Sequence, residues 1–121
     1  VTQAILPRLK SVGANLTSEV EQTVYECPNN YTARVTLVFV TNNANSNKAI
    51  TIKWYDHTND TDYNIAPSYP ISAYNFLKLS DGYLIMNSQD KLKFTSDSDS
   101  DMSAIVTVEE YFDPANANGA A

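Results

Sequence analysis

The sequence predicts an all-β fold, a single jelly-roll-like β-sandwich of about eight or nine antiparallel strands. Three observations point there. Short runs of Val, Ile, Thr and aromatic residues recur about every ten residues. The turns between them are built from Asn, Asp, Ser and Pro, with only three glycines in the chain against eight tyrosines. No stretch offers the long run of helix formers that a bundle needs. A jelly roll is preferred to an immunoglobulin-type sandwich because the chain has one cysteine and one tryptophan, so the Cys, Trp, Cys spacing is missing.

The 121 residues make one domain, long enough to bury roughly two-thirds of its unfolded surface. Residues 1–9 read as an arm without a period, broken by Pro7; residues 10–114 as the sandwich; and residues 115–121, ANANGAA, as a flexible tail. Between Arg8 and Thr17 the apolar positions Leu9, Val12, Ala14 and Leu16 are interrupted by Gly13, which suggests a bulged strand. Val20 to Cys27 is too polar for a central strand and belongs near an edge.

Tyr31 to Asp56 reads as a central β-hairpin, two apolar runs joined by an Asn, Ala and Ser connection. Strict alternation puts Ala33, Val35, Leu37 and Phe39 on one face and Arg34, Thr36, Val38 and Val40 on the other. In the second run Ile50, Ile52 and Trp54 face one way, which places Trp54 in the core. Asp56 to Asp62 is a loop or hairpin tip, and Pro67 and Pro70 exclude a central strand between them. Tyr74 to Leu79 and Tyr83 to Met86 read as short strands joined by a tight turn in which Gly82 supplies a positive φ. Leu92 and Phe94 alternate inward, and the last strand runs from Met102 to about Phe112.

The net charge of −6, with eight scattered cations, argues against a nucleic-acid groove. No apolar run approaches the roughly 20 residues of a membrane span. The N-terminal residues lack the regions of a signal peptide, so synthesis in a reducing cytoplasm is expected. Cys27 alone makes no intrachain disulfide and reads as a small buried hydrophobe.

Chemistry has few candidates. Asp97, Asp99 and Asp101 in SDSDSD have the alternation of a calcium turn but lack its glycine and its closing bidentate Glu. Asp56, Asp60 and Asp62 lie near His57, the one histidine, on a polar loop. A triad would rest on that histidine, Glu109 and Glu110 point to opposite faces of a strand, and no phosphate loop exists. The expectation is a protein that is not an enzyme and needs no cofactor or metal. Tyr55, Tyr63, Tyr69, Tyr74 and Tyr83 sit around polar loops and suit either a sugar platform or a protein interface. Ile5 and Leu6 lie in an arm with nothing of its own to fold onto, so they read as anchors on a neighbour.

The phrases SVGANLTSEVEQTVYECP, ITIKWYDHTNDTDYNI, NFLKLSDGYLIMNSQDKLKF and VEEYFDP, spanning about Lys10 to Pro114, resemble small β-sandwich virion proteins of tailed bacteriophages, notably cyanophages. These are structural phrases and carry over no active-site residues. The resemblance implies a capsid decoration (cement) protein, made in the host cytoplasm and placed on the capsid surface. It implies the major capsid protein or another virion protein as partner, a homo-oligomer (trimer or dimer), and no nucleic acid or membrane. A neck, tail or fibre component is the alternative within a virion, and a host-surface carbohydrate-binding module the alternative outside that class.

Overall fold

A computed structural model describes residues 6–98 and 101–114. Within them nine strands form two packed antiparallel sheets: β1 (Arg8–Leu16), β2 (Gln22–Glu26), β3 (Tyr31–Asn42), β4 (Lys48–Asp56), β5 (Thr61–Ile71), β6 (Phe76–Leu79), β7 (Leu84–Met86), β8 (Lys91–Ser96) and β9 (Met102–Phe112). One sheet runs β1-β9-β3-β6, with β7 also on β3; the other runs β2-β8-β4-β5. The chain changes sheets at most of its connections, and this interleaving gives the jelly-roll-like sandwich. Strand β1 takes in Arg8 and Leu9, the last two residues of the expected arm.

The expected central hairpin does not form. Strands β3 and β4 lie in different sheets, and the Asn-rich connection arches from one to the other. The buried amide of Asn42 holds that arch: its Nδ2 donates to the carbonyls of Ser46 (2.9 Å), Ile71 (3.1 Å) and Ser72 (3.3 Å), while its Oδ1 accepts from the Ala44 N–H. A fully buried amide satisfied on both ends fixes one connection geometry, which strand periodicity alone does not reveal.

Strict alternation also fails in β3. The register with β9 shifts between Val35 and Leu37. This bulge inverts the faces beyond it, so Val38 and Val40 join Ala33 and Val35 in the core while Leu37 and Phe39 turn outward. The expected bulge at Gly13 is absent: β1 pairs with β9 in unbroken register, and Gly13 lies opposite Ile105. Nor do β6 and β7 form a hairpin. Both pair with β3, one after the other along the same edge, and Gly82 has no left-handed φ.

Other expectations hold. β2 is an edge strand, β4 and β5 form a hairpin around His57–Asp60, and the prolines of β5 lie on an edge where a missing N–H breaks no ladder. The core joins Val35, Val38 and Val40 to Ile50, Ile52, Leu92, Phe94, Val106 and Val108. Trp54 is on the inner face but only partly buried, at the rim of that core rather than within it. Its indole N–H donates to Asp90 Oδ2 (3.2 Å) and its ring stacks on Tyr63. Asp90, fully buried, also accepts from the amides of His57 and Asn87 and so ties the two turns at this end together.

Candidate interaction surfaces

The two outward faces of the sandwich differ in chemistry. On the four-stranded sheet the outer face is charged. Lys53 and Lys93 stand directly opposite each other across β4 and β8, a like-charge pair that is unfavourable alone. Glu21 lies between them at 3.6 and 3.8 Å, and Asp62 bonds Lys93 at 3.2 Å. Tyr55 completes this face: its hydroxyl donates to Asp60, which raises the phenol's pKa, and its ring lies beneath Lys93 at 4.5 Å.

The outer face of the five-stranded sheet is mostly uncharged. Ile105 stands opposite Phe39, Phe39 stacks on Phe76 at 4.9 Å, and Leu37 lies opposite Thr107. Ser11 and Thr107 join hydroxyl to hydroxyl at 2.7 Å beside them. Phe76 is 54% and Ile105 43% exposed, so this is solvent-facing apolar surface. Its charges lie at the margins. Lys78 is at one side, and Arg34 at one end donates to Glu109 (2.6 Å), which also accepts from Tyr111 and is held below the usual carboxylate range by these bonds. Sequence reading missed this patch because the β3 bulge was not anticipated. Ile105 faces out between the buried Ala104 and Val106 of β9.

The anticipated partner-binding residues do not gather into one platform. Ile5 lies outside the described residues. Leu6 is largely exposed, and Leu9, on the outer face of β1, stands opposite Glu109 at the charged end of that face. Tyr55 and Tyr63 lie on opposite faces, since Trp54 stands opposite Tyr63 and Tyr55 opposite Asp62. Tyr69, opposite Ile50, is four β4 residues from the level of Tyr63, about 13 Å along the sheet. Tyr74 projects from the turn beside the β3–β4 arch with φ of 58°.

The carboxylates are likewise separate. Asp56 accepts from Asn59, Asp60 from Tyr55, and Asp62 meets Lys93. Asp97 bonds the amides of Ala49 and Ser98, whereas Asp99 lies outside the described residues. Among the described residues no three His, Cys, Asp or Glu side chains converge as metal ligands. The strongest buried polar cluster joins Glu110, fully buried, to Arg8 (2.8 Å), Lys10 (3.7 Å) and Tyr25 (2.5 Å). Burial, reinforced by Glu110, raises the Tyr25 phenol and pushes the neighbouring Cys27 thiol up to about 12. Cys27 is thus the inert buried residue its sequence context indicated.

Over 94% of its length the chain is similar in structure to infectious bursal disease virus VP2 in its subviral particle, with a TM-score of 0.50 and 13% sequence identity. The chain spans about a third of that protein, 34% of its length. At this identity the likeness is one of fold. No family model matches the sequence, and no curated protein matches it.

Proposed function

We propose that this chain is a virion structural protein, a non-enzymatic capsid decoration (cement) protein that binds the assembled shell. The observation that carries the reading is the apolar patch on the outer face of the five-stranded sheet, whose charges lie at its margins, on a chain whose net charge is −6. An acidic protein that leaves Phe39, Phe76 and Ile105 toward solvent has a surface suited to a protein partner. Leu9 on β1 stands on the same outer face, opposite Glu109 at its charged end, and leads into Leu6 and the N-terminal arm, which puts the arm beside that face. The sandwich likeness to a capsid protein and the resemblance of the sequence phrases to phage virion proteins support the same reading. A partner present on the assembled shell at high local density stabilises that shell by mass action, without cofactor or catalysis.

The test is occupancy on purified particles. Ile105→Lys and Phe76→Glu, each folded by circular dichroism, reduce bound protein by about tenfold or more, the loss of about 1.4 kcal/mol or more per contact. Removal of residues 1–7 lowers occupancy further while leaving the sandwich intact. Unchanged decoration by all three variants rejects the footprint. Copy number separates the places a virion offers: on the order of hundreds for the shell, about a dozen or fewer for a neck or tail ring.

A further inference from the structure

We infer that the gap between the sheets behind β6 and β7 is a binding site for a small amphiphile without negative charge, with an apolar body of about eight to twelve heavy atoms and one hydroxyl-like end. The site originates in the β3 bulge. The edge ladder stops at Val38 opposite Leu79 and resumes at Val35 opposite Leu84, so residues 80–83 leave the sheet where Thr36 and Leu37 bulge. No strand covers the sheet edge at that level. Behind it lies a cavity of about 280 Å³ walled by Val35, Val38, Ile65, Leu79, Leu84 and Leu92. Apolar cavities of about 150 Å³ hold a benzene ring, so this one accommodates a body nearly twice that size.

The mouth specifies the other end of the ligand. Ser80 and Asp81 line it, while Lys78, opposite the outward-facing Phe39, carries its ammonium to the outer face. A hydroxyl donates to the Asp81 carboxylate and accepts from the Ser80 hydroxyl. A ligand carboxylate is repelled by Asp81. The half-exposed Ile65 of the edge strand β5 stands at the opposite lip, so a larger side chain there closes the entrance. This inference does not depend on where the protein resides.

Octan-1-ol is the probe, titrated into the full chain with isotope-labelled methyl groups and followed by NMR. Saturable shifts are expected at the methyls of Val35, Ile65, Leu79, Leu84 and Leu92. Octanoate should bind about tenfold more weakly, and Ile65→Trp should weaken the alcohol by about tenfold or more. Phe76→Ala, outside the cavity, should leave its affinity unchanged. Leu84→Phe fills the cavity from the other side and replaces Ile65→Trp if that variant does not fold. Four results overturn the inference: no saturable shift; shifts centred on Ile105 and Leu37 of the outer face; equal affinity in the blocked variants; or cavity methyls that move with protein concentration in the absence of probe, which places a neighbour's side chain there instead.

Discussion

The two lateral edges of the sandwich close in opposite ways. Where β1 and β2 meet, the gap between the sheets is sealed by polar groups: Glu110 points inward from β9, Arg8 and Lys10 reach it from β1, and Tyr25 meets it from β2. Where β5 faces β6 and β7, the seal is apolar and incomplete, and a cavity remains. The difference lies in tolerance. A buried carboxylate is stable only with its partners in place, so that edge is all-or-none. An apolar gap loses dispersion contacts in proportion to its size, so the other edge survives as a defect.

The sharpest way to break the comparison is at the polar edge. Replacing Arg8 and Lys10 together by Ala leaves the Glu110 carboxylate buried without a counter-ion, and denaturant melts should show a loss of about 3 to 5 kcal/mol. Tyr25→Phe removes one donor from the same carboxylate and should cost about 1 to 3 kcal/mol. A loss below about 0.5 kcal/mol from the double variant means that water reaches Glu110 and the edge is not sealed.

Alkali tests the same edge from another direction. Both Cys27 and Tyr25 have folded pKa values raised above their ordinary 9.0 and 10.0. The unfolded chain therefore loses these protons first, and the stability they contribute is whole below about pH 9 and declines as pH rises beyond it. Thermal melts between about pH 8 and 11 should show that decline, and the double variant Cys27→Ala, Tyr25→Phe should flatten it. An equally steep fall in the variant assigns alkaline sensitivity elsewhere.

The open edge should respond less. Leu84→Ala enlarges a cavity that already exists from a half-buried position, and should cost about 1 to 2 kcal/mol, below the usual range for a buried leucine. A cost as large as that of the charge-pair variant would show this edge packed as tightly as the other. Smallest of all is Phe76→Ala on the outer face, expected within about 0.5 kcal/mol of the parent by denaturant melt, since the side chain is more than half exposed and outside the core.

The sequence by itself determined the strands, the edges and the class of fold. Alternation in Leu92 and Phe94 identified an inward face because β8 keeps its period unbroken. The prolines of β5 and the polarity of β2 marked edge strands because an edge tolerates a missing N–H and wet side chains. What only the tertiary structure decided was which strands pair and where the period slips. The β3 bulge turns Phe39 out and Val38 in, and it depends on the fit of β3 against β9, whose residues lie about 70 positions away in the chain. The β3–β4 arch depends on Asn42 finding carbonyls of Ser46, Ile71 and Ser72, the last two of which lie at the end of β5, about 30 positions on in the chain. Both features rest on hydrogen bonds between distant segments, and local propensity carries no record of such partners. The outward turn of Leu37 and Phe39 and the cavity follow from that one bulge, so these surfaces were the least legible part of the sequence.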